Sequence, residues 1–171
     1  MTHSDWQRDT RNVMARFLSE TQDPLQDFQK LKSLQRATGY NHNIMNMDGK
    51  RWNIESTARE QVIIEPASPF VHTNHYLSEQ LKPLEAEKMP STFRRYEVAS
   101  EKVRPHMSEQ ELMTLVSDTS QGPDLSIFND RTIARMIVDT EQRSAKIWLR
   151  REAAKGWVEY PLGFLGNVGI R

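Results

Sequence analysis

Four short β-strand patterns follow one another between residues 40 and 74, and they constrain the fold more than any other feature of the chain. Asp48-Gly49 is the strongest short signal for a two-residue hairpin turn, because such turns need backbone conformations that Asp and Gly tolerate. Residues 61–65 and 70–74 have the composition of a third and a fourth strand, with a proline-containing turn between them. The pattern therefore predicts consecutive antiparallel strands over residues 40–74.

Apolar residues at helical spacing flank these strands on both sides. Residues 1–39 predict a helical hairpin, whose second helix has Asp23 as its N-cap and Pro24 as its first residue. Residues 91–117 predict two further helices, the second opening with a capping box that starts at Ser108.

Strand patterns return near the end of the chain. Residues 132–150 predict a closing β-hairpin, whereas the glycine-containing tail from Trp157 is expected to be irregular. The order of helices, strands, helices and strands predicts an α+β fold, in which antiparallel sheets pack with helices. We expect a single domain over residues 1–171.

The composition excludes several classes of protein. Basic and acidic residues balance at 23 each, so no overall charge attracts nucleic acid or an anionic membrane. The mean hydropathy is −0.72, and no apolar run approaches the roughly 20 residues that span a bilayer. The first ten residues contain no apolar signal-peptide core. We therefore expect a cytoplasmic protein with no nucleic acid and no membrane as a partner.

The chain contains no cysteine, which excludes a disulfide scaffold, a zinc-thiolate site and a cysteine nucleophile within these residues. A serine-nucleophile elbow and a glycine-rich phosphate loop are also missing from the sequence. His72 and His75 have a spacing that suits metal ligands on a helix better than on a strand, and no carboxylate is close in sequence. We therefore expect neither a metal nor another cofactor.

The densest polar cluster is His72-Thr73-Asn74-His75, at the end of the predicted fourth strand and next to a loop. Binding and catalytic residues are often found at such positions. The Asn74 amide carries two N–H donors that can stabilise an oxyanion, and a histidine can orient it or move protons. Alternatively, these polar groups only tie down the loop that follows.

Four segments together carry a resemblance to a known family. They are the small-residue-Gly-Tyr-Asn step at residues 37–42, the run 71–77, the Arg-Tyr step at 95–96 and the hairpin pattern 132–149. In this order they resemble the acyl-CoA:6-aminopenicillanate (isopenicillin-N) acyltransferase family. These proteins are N-terminal-nucleophile (Ntn) hydrolases, related to the choloylglycine and penicillin V hydrolases.

The resemblance implies an αββα sandwich in which an N-terminal cysteine attacks a linear amide, with its own amino group as the base. It implies that Asn74 donates to the tetrahedral oxyanion and that Arg95 lies near the nucleophile. It also implies that His72, His75 and Tyr40 shape the substrate site, without a chemical step of their own. The substrate is expected to be a small-molecule amide or acyl compound.

This chain departs from the family because the nucleophilic cysteine is not in it. One hypothesis is that it resembles only the C-terminal part of such an amide hydrolase or acyltransferase. It would then be inactive alone, and a separate chain would carry the nucleophile. A second hypothesis is a non-catalytic remnant that acts as a binding module or self-associates as a homo-oligomer. An unrelated α+β interaction protein is the third.

Overall fold

The computed structural model describes residues 15–16, 18, 20, 24–33, 36–46, 49–85 and 89–163. The chain divides into two compact units, which meet in sequence between Thr92 and Phe93. Each unit contains one three-stranded antiparallel sheet. The predicted α+β class is therefore confirmed, whereas the αββα sandwich and the single domain stay predictions. No helix within these described ranges is long and apolar enough to cross a membrane.

The first unit contains one α-helix, three strands and a short 3-10 helix. In chain order these are α1 (Pro24–Ser33), β1 (Asn41–Met45), β2 (Arg51–Ser56), β3 (Gln61–Ile64) and the 3-10 helix Lys82–Leu84. Helix α1 begins at Pro24, as the sequence predicts. Most of the first predicted helix, the N-cap Asp23 and the turn residue Asp48 lie outside the described residues.

Strand register gives the first sheet one apolar face. The strand order is β1-β2-β3, with Ile54 of β2 opposite His42 of β1 and Ile63 of β3. Trp52 and Ile54 are buried on this face against Phe28 of α1. Because side chains alternate along a strand, the neighbouring residues Asn53 and Glu55 belong to the opposite face.

Gly39 precedes β1 at a point where two backbone segments approach closely. Ser56 donates from its backbone N–H to the Tyr40 carbonyl oxygen at 2.9 Å, and its hydroxyl donates to the same oxygen at 2.9 Å. A Cβ atom on residue 39 would lie 2.1 Å from the Ser56 carbonyl oxygen. Residue 39 of the Gly-Tyr-Asn step must therefore be glycine, because no side chain with a Cβ atom fits between these segments.

The second unit contains most of helix α2, two shorter helices and three strands. The elements are α2 (Pro90–Lys102), which begins in the first unit, α3 (Glu109–Leu115), α4 (Gly122–Leu125), β4 (Ala134–Asp139), β5 (Ser144–Leu149), the 3-10 helix Arg150–Lys155 and β6 (Val158–Pro161). The predicted capping box of α3 is confirmed, because Glu111 N–H donates to Ser108 Oγ and Ser108 N–H donates to the Glu111 carboxylate.

A guanidinium group holds the aromatic residues of the second unit together. The Arg135 side chain on β4 lies 4.2 Å from the ring centre of Phe128, 4.1 Å from that of Trp148 and 5.0 Å from that of Trp157. Phe128 and Trp148 meet edge to face, with 5.2 Å between ring centres. A cation over an aromatic face is attracted by the ring quadrupole, so this cluster links β4, β5 and the segment before β6.

Two local predictions are wrong. Residues 70–74, all of them described, form no strand, and Asn74 N–H donates to the Thr92 hydroxyl rather than to a neighbouring strand. The tail from Trp157 is not irregular throughout, because Val158–Pro161 form β6 and pair with β5. The closing hairpin is confirmed, with β4 and β5 as its strands.

We predict that Gly39→Ala destabilises the first unit by about 3 kcal/mol, since the added methyl group meets backbone atoms that cannot rotate away. The measurement is urea unfolding followed by far-UV circular dichroism. Gly163→Ala is the matched control, because no atom lies within 4 Å of a Cβ there, and its effect should stay within about 0.5 kcal/mol. Equal stabilities of the two variants would contradict the packing argument.

Candidate functional site

The predicted site residues His72, Asn74 and His75 lie in an irregular loop, residues 72–78, which follows β3 after a further seven-residue connection. The structure describes all of this loop. Three of its backbone N–H groups, at residues 74, 77 and 78, donate to side chains of two regular elements, β2 and α2. The geometry of loop 72–78 is therefore determined by those side chains.

The Glu55 carboxylate on β2 is the first of these partners. It accepts hydrogen bonds from Leu77 N–H at 2.5 Å and Ser78 N–H at 2.9 Å. Its side chain is 0% exposed. Burial alone would raise the pKa of Glu55, but the hydrogen bonds from His72, Leu77 and Ser78 outweigh it and lower the pKa to about 2. Glu55 is therefore a buried, ionised acceptor at neutral pH.

The His72 imidazole completes the contacts of Glu55. Its Nε2 lies 2.8 Å from a Glu55 carboxylate oxygen, and its Nδ1 lies 2.5 Å from the Thr73 carbonyl oxygen. Both of these oxygen atoms are hydrogen-bond acceptors, so the two ring nitrogens link the Glu55 carboxylate to the backbone of the loop. Asn41 Nδ2 lies 3.2 Å from Nε2 and donates to the Ile54 carbonyl oxygen. His72 is thus held by Glu55 on one side of its ring and by the Thr73 backbone on the other.

The Thr92 hydroxyl, in the first turn of α2, is the second partner of the loop. It accepts from Asn74 N–H at 2.7 Å and donates to Thr73 Oγ1 at 2.8 Å, and the Thr73 hydroxyl donates to the Thr92 carbonyl oxygen at 2.9 Å. Thr92 is 4% exposed. Its contacts join the middle of loop 72–78 to the helix.

His75 lies against the same two hydroxyl groups. Its Nδ1 is 3.1 Å from Thr73 Oγ1 and 3.2 Å from Thr92 Oγ1. Since both hydroxyl hydrogens are already donated, Nδ1 bears the hydrogen of the ring and donates it. Burial, followed by the charge of His72, lowers the pKa of His75. We conclude that His75 is a neutral, buried packing residue.

Tyr76 ties the loop to the end of β2. Its hydroxyl donates to the Ser56 carbonyl oxygen at 3.1 Å, and its backbone N–H donates to the Glu85 carboxylate at 2.9 Å. Burial, together with the charges of Glu85 and Glu55, raises the pKa of Tyr76 to about 12. The hydroxyl therefore stays protonated and remains a donor.

The structure places the remaining predicted site residues at three different positions. The side chain of Asn74 is exposed, although its backbone is fixed within the loop. Tyr40 precedes β1, is 39% exposed and has its ring 5.4 Å from that of His42. Arg95 belongs to the second unit, on α2, where burial lowers its pKa. Loop 72–78 thus brings together His72, Asn74 and His75.

Sequence reasoning missed Glu55 and Thr92, although they make the contacts that define the site. The signal for Glu55 was an acidic residue inside an otherwise half-apolar strand pattern, in register with Asn41 on the polar face. Within the described ranges, no group of three His, Asp or Glu side chains is arranged like metal ligands. His72 and His75 are instead held by a carboxylate and by hydroxyl groups.

Acid should destabilise the first unit through Glu55. Because the folded pKa is about 2 and the ordinary value is 4.5, the stabilisation is complete above pH 4.5 and is lost as pH falls towards 2. The loss should approach about 3 kcal/mol. Glu55→Gln should be less stable than the wild type at pH 6, and urea unfolding should show that the difference in their free energies of unfolding becomes smaller towards pH 2. A difference in free energy that is independent of pH would contradict the assignment of an ionised Glu55.

Comparison with known families finds one match for this chain. The family model described as acyl-coenzyme A:6-aminopenicillanic acid acyl-transferase matches residues 8–154, a range that includes the Gly-Tyr-Asn step, Glu55 and loop 72–78. A search of curated proteins finds no match. The family model covers most of the sequence, so the chain belongs to the acyl-coenzyme A:6-aminopenicillanic acid acyl-transferase family.

Proposed function

We propose that this chain provides the oxyanion-binding part of an Ntn-type site that cleaves or forms linear amides. The observation that carries the proposal is the contrast at Asn74. Its side chain is exposed, whereas its backbone N–H is bonded to a buried hydroxyl at 2.7 Å. A side-chain amide carried on a fixed backbone suits stabilisation of the negative charge that develops on a substrate oxygen.

The proposed chemistry is acyl transfer from a small-molecule amide or acyl-CoA. Attack of a thiolate on the carbonyl carbon forms a C–S bond and moves an electron pair onto the carbonyl oxygen. Asn74 Nδ2 donates a hydrogen bond to that oxyanion. The oxyanion then reforms the carbonyl, the bond to the leaving group breaks, and the amine or the CoA thiol departs with the proton that the terminal amino group took from the cysteine. Water or another amine next attacks the thioester carbon, the C–S bond breaks, and the acyl product and the free thiol are released. Arg95 near the nucleophile stays a prediction of the resemblance.

The nucleophile in this proposal comes from outside these 171 residues, because the sequence contains no cysteine. We therefore expect the chain to be inactive by itself and to act together with a separate segment or chain that carries the nucleophile. We assign His72 no chemical step, because both of its ring nitrogens lie within hydrogen-bond distance of oxygen atoms of the protein. Tyr40, half-exposed at the entry to β1, is proposed to contact substrate with the loop.

A non-catalytic, self-associating module is the second candidate, favoured by one observation in the second unit. Met136 is 61% exposed, Val138 44% and Tyr160 46%. The register places Val138 and Tyr160 on the same face, each opposite Ala145, and Met136 shares that face by alternation. Exposed apolar patches of this kind are typical of protein interfaces.

Light scattering on the purified chain would then show a homo-oligomer, and Met136→Gln would weaken its association.

Complementation tests the proposed acyl transfer. The chain would be co-expressed with the cysteine-bearing N-terminal segment of an active family member, and release of amine from linear amides would be measured. Asn74→Asp keeps the size of the side chain and removes both N–H donors, so kcat should fall about 10²–10³-fold. Gln80→Ala is the control, because Gln80 is exposed and bonds only to Glu60 among the contacts described. It should leave kcat unchanged.

Two results would contradict the proposal. One is a complemented complex that forms but releases no amine from any linear amide or acyl-CoA tested. The other is an Asn74→Asp variant that turns over as fast as the wild type. In the first case an oligomeric wild-type chain would support the interaction-module alternative.

A further inference from the structure

Loop 72–78 lacks regular secondary structure at every residue, and all of its residues are described. A loop of this kind loses conformational entropy when it is ordered, so contacts with residues outside the loop must offset that loss. Three of its backbone N–H groups, at residues 74, 77 and 78, donate to side chains of Thr92 and Glu55. These two residues are outside the loop, on α2 and β2.

Glu55 holds the loop on both sides of Asn74. On one side it binds the His72 ring at 2.8 Å, and on the other it binds Leu77 N–H at 2.5 Å and Ser78 N–H at 2.9 Å. Strand β2 is the central strand of its sheet, so the backbone of Glu55 is paired with β1 and β3. The carboxylate is therefore a fixed acceptor to which both ends of the loop are bound.

Thr92 holds the residue between those ends. Its hydroxyl oxygen accepts from Asn74 N–H at 2.7 Å, which joins that residue to helix α2. The hydroxyl is itself oriented, because it donates to Thr73 Oγ1 and lies 3.2 Å from His75 Nδ1. The backbone of Asn74 is thus fixed in position, although the residue is exposed.

We infer that Glu55 and Thr92 are positioning residues for Asn74, fixing the backbone from which its side-chain amide extends. This inference rests on the proposed function, because it matters only if Asn74 binds a developing oxyanion. Neither residue touches substrate. Their contribution is preorganisation, and a displacement of about 1 Å of a catalytic group can lower a rate by roughly 10²-fold.

Thr92→Val and Thr92→Ser separate positioning from packing. Valine keeps the shape of threonine and removes the hydroxyl, whereas serine keeps the hydroxyl. In the complemented enzyme, Thr92→Val should lower kcat about 10- to 100-fold with KM changed less than about twofold, because ground-state contacts are kept. Thr92→Ser should restore most of kcat. Thr114→Val is the matched control, since Thr114 is an exposed helical threonine whose hydroxyl donates to Gln110.

Amide hydrogen exchange on this chain alone tests the contacts directly and needs no activity. Thr92→Val should speed exchange at Asn74, and Glu55→Gln should speed it at Leu77 and Ser78. If Glu55→Gln fails to fold, the Thr92 pair still decides the inference. Unchanged exchange at Asn74 in Thr92→Val would overturn it, and so would faster exchange with an unchanged kcat. Failure of the proposed function can be told apart from failure of this inference, because Asn74→Asp would then leave kcat unchanged.

Discussion

The buried carboxylate of Glu55 is the interaction on which the rest of the first unit depends. A carboxylate taken out of water is costly unless hydrogen-bond partners surround it, and here the His72 ring and two backbone N–H groups do so. The carboxylate and the loop depend on each other. The charge of Glu55 needs these hydrogen-bond partners, and the partners belong to a loop that has no regular secondary structure. Folding of β2 and ordering of loop 72–78 are therefore one event.

The register of the first sheet explains why a charge can occupy this position. One face carries Trp52 and Ile54 against the helical side of the unit. The other face carries Asn41, Asn43, Asn53 and Glu55, whose side chains form a polar row in which Asn53 donates to Asn43 and Asn43 donates to Asn41. A shift of one residue in register would exchange the two faces, so the apolar core fixes the place of the carboxylate.

Periodicity and turn chemistry predicted the elements whose determinants are local. Strands β1 to β3, helix α1 and the capping box at Ser108 were found because their signals lie within a few residues. Residues 70–74 were predicted as a strand because their composition suits one. The prediction failed where Asn74 N–H donates to a side-chain hydroxyl instead of to a neighbouring strand. Glu55 and Thr92 could not be recognised as site residues because their contacts lie 17 and 18 residues away in sequence. Asn74 was predicted only from the resemblance and the cluster around it.

The aromatic cluster of the second unit gives the two units different chemical sensitivities. Its centre is the guanidinium of Arg135, a group that remains cationic throughout the pH range in which proteins fold. The first unit is organised around a carboxylate, which a proton can neutralise. Acidification therefore removes the central charge of one unit and leaves that of the other intact. A chain taken to low pH would be expected to lose its loop geometry while the tryptophans of the second unit remain packed.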